Sequence, residues 1–429
     1  MSGCLRSVFC CECCCTNCQK PNLPTSGPVG VDSPNGSVLV FVNPHSGAGK
    51  GLELFAEKLR PRILASKLCY DLLITERPNH AKDVIKTRAD LFTFDAIVIV
   101  SGDGLLFEIL NGLLEREDGE SLLQKLAFGM CPTGSGNGLL ASVFHKRKLP
   151  HSMPGFFDKA VDSIAGLDSL AYAVNLTHVE TDIGHFGSFL SIGWGLMADI
   201  DIESERYRRL LGSGRFFLGA LIRVFGSLRT YHGRLSFLEA GPLEPSNDES
   251  FQVFSANRTI TDDCPSYRSH KSTITEFTES TATCSEFLQD ASLWKRHQKP
   301  VGTIPSLKDP IPSSWTTIED EFVLVYVTSL THISPGNNYC PNAKLCDDRL
   351  HLTYILKKDV PSKADLAKFL TAIETAKHLD LPFCKSVSVS SFRLEPKTAG
   401  SYIVVDGEVI KTSKIQATVS DLKMFVMSQ

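Results

Sequence analysis

No apolar run in this 429-residue chain approaches the roughly 18 to 20 residues that a bilayer-crossing helix requires. The longest candidate, Phe216 to Phe225, is short and carries Arg223, so the chain is not expected to span a membrane. An excess of positive charge is missing too. Lys and Arg number 44 against 48 Asp and Glu, a net charge of −4, so nothing marks the whole chain for nucleic acid and any polyanion site has to be local. The cysteines lack the spread of a disulfide framework: seven of the 14 (Cys4, Cys10, Cys11, Cys13, Cys14, Cys15 and Cys18) crowd the amino terminus and the rest are scattered singly. A basic region followed by an apolar stretch and a small-residue cleavage site is also missing, which argues against a secretory signal and for reduced thiols in a cytoplasmic protein. What is present, 42% hydrophobic and 21% charged residues, is ample for one large core or two ordinary domains and excludes a disordered or fibrous chain.

The order of patterns along the chain divides it. Residues 1–36 join the cysteine cluster to a Pro/Gly/Ser/Asn stretch and read as a tail plus linker. From 37 to 167, short β-branched runs alternate with helical stretches: SVLVFV at Ser37, YDLLIT at Tyr70, AIVIV at Ala96 and AFGMC at Ala127. Near-continuous apolar strands separated by helices predict an α/β domain with a parallel sheet covered on both faces. From 168 to 429 strands follow one another with few helices between them: His185 to Gly195, Arg229 to Leu238, Glu321 to Ser329, Arg349 to Leu356, Val387 to Pro396 and Tyr402 to Gly407. That grammar predicts a mainly antiparallel second domain, with helices at about Arg206 to Leu228 and Ser362 to Leu379. Within it, residues 241–314 turn rich in Ser, Thr and Pro and read mostly as a mobile insertion.

Three glycine-rich stretches each follow a strand of the first domain, where open α/β sheets place their ligands. The first, Asn43 to Gly51, resembles a Walker A loop but has Pro44 where that motif needs Gly and Gly51 where it needs Ser or Thr. It suits either a phosphate or an ordinary turn. The second, Ser101-Gly102-Asp103-Gly104, opens a helix. Asp103 serves there either as a helix cap or as a carboxylate aimed at a ligand that the two glycines allow close, as a general base requires. Glu108, one turn on, reaches the same cleft or solvent. The third, Pro132 to Gly138, offers repeated amides and the Ser135 hydroxyl at a helix start, a place for anionic oxygens. Three such loops on successive strand ends favour a nucleotide site over structural turns.

The motifs NPHSGAGKG, TERPNHA, SGDGLLFEILNGL, PTGSGNGLLAS, GWGLMADIDIESERYRRL and VVDGE, in this order from about Val38 to Met427, resemble those of the sphingosine kinases, within the wider group of diacylglycerol kinase-like lipid kinases. The resemblance implies a nucleotide domain of the diacylglycerol kinase and phosphofructokinase type followed by a β-sandwich that holds the lipid. It implies transfer of phosphate from MgATP to the primary hydroxyl of sphingosine or a related sphingoid base, with diacylglycerol or ceramide as alternative substrates and an inactive lipid-binding scaffold as the alternative outside enzymes. Position by position, Asp103 falls on the catalytic base, with Ser101, Gly102 and Gly104 beside the lipid, and Asp201 on the acid that holds the sphingoid head group. Asp199 is the decoy, since the two acids alternate sides in a strand or turn. The implied ATP contacts are Asn43, Pro44 and His45; Thr75, Glu76, Arg77, Pro78 and Asn79; Glu108; Gly134, Ser135 and Gly136; the phosphate-binding arginines Arg208 and Arg215; and, from the far carboxyl region, Asp406, Gly407 and Glu408. His45 and Ala48 stand where relatives carry basic side chains, at some expense in phosphate affinity. No residue is assigned to Mg²⁺, which arrives with ATP.

Two features point to a membrane surface. Phe217, Leu218, Leu221, Ile222 and Phe225 crowd one stretch, which suits either docking on lipid or a buried helix. The amino-terminal cysteines suit reversible acylation, zinc binding through Cys10/Cys13 and Cys15/Cys18, or no role; myristoylation is disfavoured because Ser2 follows Met1. The sequence leaves the oligomeric state open, a homodimer included.

Overall fold

The computed structural model describes residues 23–166, 169–207, 214–226, 228–241, 251–253, 291–299 and 304–429. Its first part is a parallel sheet in the spatial order Leu68–Ile74, Gly36–Val42, Ala96–Ser101, Ala127–Pro132. Side chains alternate between the faces of a strand, and here both faces are apolar. Val38, Val40, Val42, Val98 and Val100 pack with Phe55, Leu59 and Ile63 on one side, while Leu39, Phe41, Ile97 and Ile99 join Ile109, Leu110 and Leu113 on the other. That double burial explains the near-continuous apolar strands. The helices Asp103–Leu114 and Gly138–Lys146 leave the carboxyl ends of adjacent strands side by side.

The second part is antiparallel and folds over on itself. Strand Thr316–Thr328 pairs through its first half with Tyr231–Glu239 and through its second half with Leu350–Leu356. Strand Lys385–Pro396 pairs with the same two neighbours in the opposite order. Two long strands thus pass from one layer to the other, and each has a register shift at the crossing, at Phe322/Leu324 and at Val389/Ser391. A bulge supplies the bend that such a corner needs. The strand Ile415–Ser428 pairs with Leu170–Thr181 along nearly its whole length and runs parallel to Ala127–Pro132 at Phe425 and Val426, joining the two parts into one sheet.

Several expected elements differ. The stretch His185 to Gly195, expected as one strand, is two, Gly184–Ser188 and Ser191–Gly195. It breaks because the N–H groups of Phe189, Leu190 and Ser191 all turn to the carboxylate of Asp406 instead of a neighbouring strand. The segment carrying Asp199 and Asp201, expected as strand or turn, is a helix, Leu196–Ser204. The helix expected from Arg206 to Leu228 is described as a tight turn at Glu205–Tyr207 and a helix Gly214–Leu221 that loosens into a π-type turn at Ile222–Gly226. Of the stretch 241–314, the helix Ser292–His297 is built into the fold: Trp294 is fully buried and stacks on His178 with ring centroids 4.8 Å apart. The amino-terminal cysteines and most of the rest of that stretch lie outside the described residues. No helix among the described residues is long and apolar enough to cross a membrane.

Candidate active site

The three glycine-rich loops meet as one backbone surface. A Cβ on Gly47, whose φ is +56°, would sit 2.1 Å from the carbonyl oxygen of Thr133, and one on Gly134 would sit 2.8 Å from the nitrogen and Cα of Gly102. Only glycine allows loops to approach this closely. Ser101 is the hub: its Oγ donates to Ser46 Oγ at 3.2 Å, and its carbonyl accepts from the N–H groups of Thr133 and Gly134. Around them Thr133 Oγ1, Ser135 Oγ and Asn137 Oδ1 are buried with no hydrogen-bond partner among the described residues. Each such atom costs about 1–3 kcal/mol when left unsatisfied, so a loop carrying three is built for a polar occupant. A phosphate chain fits that requirement.

Asp103 begins its helix, yet its carboxylate caps a different one. Oδ2 accepts from Gly138 N–H at 2.7 Å, the first residue of the helix Gly138–Lys146, while Oδ1 has no hydrogen-bond partner among the described residues. Only 5% of the residue is exposed. Burial pushes the carboxyl up to about 7; the N–H groups of Gly138 and Leu139 oppose the rise and the charge of Asp406 adds to it. A carboxylate poised near neutrality with one free oxygen has the properties of a general base.

The far carboxyl region arrives as a turn between strands Ile403–Val405 and Glu408–Ile410, the first of which pairs with Ser191–Gly195. Asp406 is buried and accepts from Ser188 Oγ and from the N–H groups of Phe189, Leu190 and Ser191, at 2.8 to 3.0 Å. Burial lifts it to about 6 against those donors. Its neighbours face Gly104 and Asp201: Glu408 Oε1 lies where a Cβ on Gly104 would be only 2.7 Å away, and a Cβ on Gly407, at φ +90°, would lie 4.0 Å from Asp201 Oδ2.

The two acids of the helix Leu196–Ser204 separate cleanly. Two residues apart on a helix points them about 200° apart. Asp199 is fully buried, accepts from Tyr231 Oη at 3.0 and 2.9 Å, faces Arg223 and is pushed upward by burial. Asp201 stays partly exposed beside Gly407. Arg215 is buried and turned to acids, bonding the Asp201 carbonyl and Ser204 Oγ, pairing with Glu205 and lying 3.4 Å from Asp201 Oδ1. Arg208 lies outside the described residues.

The remaining expected contacts form the rim. Asn43 Oδ1 accepts from His45 N–H, and buried Thr75 bonds the Val42 carbonyl through both its N–H and its hydroxyl. Glu76 N–H donates to His80 Nδ1, Arg77 pairs with Asp83 and bonds the Pro78 carbonyl, and Asn79 holds a left-handed φ of +61° just before the helix His80–Thr87. Glu108 does not join Asp103. Its half-buried carboxyl faces the N–H groups of Asn79, Ala81 and Lys82, which oppose the upward push of burial. Gly136 borders Asp103 directly, its Cβ position 3.4 Å from Asp103 Oδ2.

Two residues that sequence reasoning passed over belong here. Tyr326 donates to Ser191 Oγ at 2.9 Å and feels the charges of Asp201, Asp406 and Asp103, which together with burial raise its phenol. It sits in an ordinary alternating strand, and no pattern marks it. Asn111, a polar residue in an otherwise apolar helix, exchanges two hydrogen bonds with Gly187 and ties the Asp103 helix to the second part; its place in the Leu-rich run was the available signal.

Residues 37–174 match the diacylglycerol kinase catalytic domain. The chain is 41% identical to sphingosine kinase 1 of Caenorhabditis elegans over 396 residues, covering 91% of this chain and 81% of that protein. The chain belongs to the sphingosine kinase family. It is also 32% identical to sphingosine kinase 1 of Homo sapiens over 407 residues, 92% of each chain. Among solved structures, a diacylglycerol kinase from Bacillus anthracis superposes with a TM-score of 0.54 over 92% of this chain and 97% of that one, at 16% identity, a likeness of fold. This sphingosine kinase family member is thus a lipid kinase that uses ATP, with the parallel sheet and the antiparallel part arranged as the resemblance implied.

Proposed function

We propose that this sphingosine kinase family member transfers the γ-phosphoryl group of ATP to the primary hydroxyl of sphingosine or a close sphingoid base, giving sphingosine 1-phosphate and ADP. The observation that carries the reading is the free, buried Oδ1 of Asp103 beside a glycine loop with unsatisfied polar atoms. The hydroxyl oxygen bonds to phosphorus as its proton passes to Asp103, and the bond from the γ-phosphorus to the bridging oxygen breaks. The loop amides, Ser135 and Thr133 hold phosphate oxygens; Arg208 and Arg215 are assigned to the same charge, Arg215 by exchanging Glu205 for phosphate. Mg²⁺ bound with the nucleotide would neutralise phosphate charge. Asp406 is occupied as an anchor, Oδ1 accepting three hydrogen bonds and Oδ2 one.

Asp201 is assigned to the protonated amine of the head group, with Tyr326 alongside. An apolar cluster containing Leu196, Ile200, Val323, Phe369 and Phe383, edged by Met197 and Phe216, begins on the same helix and suits the alkyl chain. Diacylglycerol offers no amine to Asp201, which favours a sphingoid base. A phosphate-transfer assay run side by side on sphingosine, diacylglycerol and ceramide tests the choice; faster turnover of either alternative overturns it. Asp201→Asn is expected to raise the KM for sphingosine about 10- to 100-fold, the worth of a charged hydrogen bond, with the KM for ATP unchanged. An unchanged lipid KM removes Asp201 from the head group.

Peripheral membrane association belongs to the same proposal. Leu221 and Ile222 are each 38% exposed and Phe225 54%, which favours docking over core packing for this stretch; the Phe217 side chain lies outside the described residues. The Leu221→Gln, Ile222→Gln double variant is expected to sediment less with anionic liposomes while melting normally; unchanged binding removes the idea. Acylation of the amino-terminal cysteines is the second anchor, tested by hydroxylamine-sensitive acyl exchange on the full chain and on one lacking residues 2–20. Equal labelling and equal membrane fraction would reject it.

A further inference from the structure

We propose that His145, His151 and His332 form a zinc-type metal site that fastens the helix behind the catalytic base to the antiparallel part. The three side chains offer ligand nitrogens all within 4.8 Å of one another. Tetrahedral zinc with Zn–N bonds of about 2.0–2.1 Å needs its ligand atoms about 3.3 Å apart, so modest ring rotations close the set. Three neutral imidazoles with one position left for water is a common zinc ligand set.

The surroundings orient the rings as a second shell does. His151 Nδ1 lies 3.1 Å from the Leu149 carbonyl oxygen, which can only accept, so that nitrogen carries the proton and Nε2 keeps its lone pair. His332 Nδ1 lies 2.8 Å from Thr331 Oγ1. Hydrogen bonds of this kind from the second ring nitrogen fix tautomer and direction in metal-ligating histidines. The ring centroids are 4.7 to 5.1 Å apart and the planes are tilted or edge-on, so the rings do not stack face to face. His332 is buried and His145 lies at the solvent edge, which leaves a path for an ion. Lys146, Arg147 and Lys148 flank the site and oppose a cation, but Arg147 is held elsewhere, over the Tyr172 ring and near the Gln429 carbonyl.

The position gives the site a consequence. His145 lies in the last turn of the helix Gly138–Lys146, His151 follows in the next loop, and His332 comes from the short strand His332–Ser334 of the second part. The contact is already close: His332 N–H donates to Ser142 Oγ at 3.0 Å, and a Cβ on Gly138 would meet the His332 carbonyl at 2.8 Å. The other end of that helix holds Asp103 through the Gly138 N–H. A metal at the carboxyl end therefore pins the element that positions the base.

The test uses the full chain, stripped with a chelator and titrated separately with Zn²⁺ and Co²⁺. Zinc is followed by competition with a chromogenic chelator and by thermal unfolding, cobalt by absorption. Because the amino-terminal cysteines are rival zinc ligands, the cobalt spectrum has to separate the two. Expected are a tetrahedral d–d band assignable to nitrogen ligands, a rise in melting temperature with zinc, and loss of both in His151→Ala and His145→Gln. Zinc affinity at this site should fall at least about 100-fold in each variant while the metal-free melting temperature holds. The solvent-edge variant His145→Gln keeps the test valid where His151→Ala disturbs the fold. Zinc uptake and stabilisation unchanged in His145→Gln, a cobalt spectrum of thiolate type alone, or no binding at micromolar zinc would each overturn the site.

Discussion

Asp103→Asn is expected to abolish phosphoryl transfer, by about 10²- to 10⁴-fold in kcat, in a chain that stays folded and becomes more stable above neutrality. The amide keeps the shape and can still accept from Gly138 N–H, but it cannot take a proton from the substrate hydroxyl. The stability gain follows from the carboxyl being pushed up to about 7 from an ordinary value of 3.8. An acid raised in the folded state binds its proton more tightly there, so its contribution is fully present below pH 3.8 and is lost as pH rises through 7. Asparagine has no such loss. The stability difference between variant and wild type should therefore open between pH 4 and pH 7 and level off above, at about 4 kcal/mol or less. Denaturant titrations at pH 5, 6, 7 and 8 measure it. The same group sets the rate: kcat/KM of the wild type should climb through pH 7 and flatten beyond. Turnover of the variant within about tenfold of wild type would remove Asp103 as the base.

Asp406→Ala is expected to cost about 2–5 kcal/mol of stability, because buried donors left without an acceptor cost about 1–3 kcal/mol each. Four donors converge on its two oxygens, and alanine leaves them facing a void. Alanine would also have to hold the left-handed φ of +51° that aspartate tolerates better. Relief of a carboxyl raised to about 6 offsets part of this. Activity should fall further than stability alone accounts for, because Glu408 and Gly407 lose the anchor that holds them against Gly104 and Asp201. Urea unfolding combined with kinetics on the surviving folded fraction checks both; a loss below about 1 kcal/mol contradicts the anchoring role.

What the sequence disclosed and what it withheld divide along one physical line. Ser101-Gly102-Asp103-Gly104 was legible because a carboxylate between two glycines at a strand end is a local pattern, and its consequence, close backbone approach, is local as well. The parallel strands were legible because double burial erases alternation within each run. The break at Phe189 was not, because the acid that causes it, Asp406, is distant in sequence, and nothing in HFGSFLSIGWG says that its amides have another acceptor. Tyr326 was hidden for the same reason: its meaning comes from three acids on three other elements. Asp199 and Asp201 show a third case, in which the separation of the two acids was anticipated and the backbone that produces it was not. Arg215 was singled out by motif, while its pairing with Glu205 and Asp201 emerges only when the helices are placed.

The turn at Asp406 to Glu408 also bears on when a newly made chain can begin to work. Residues 37–174, the part that matches a kinase catalytic domain and that carries Asp103, are made well before the turn whose Glu408 lies against Gly104. An amino-terminal half without that turn would leave Gly104 uncovered. Activity that depends on Glu408 and Gly407 should therefore wait until the strand pair around Asp406 has docked on Ser191–Gly195.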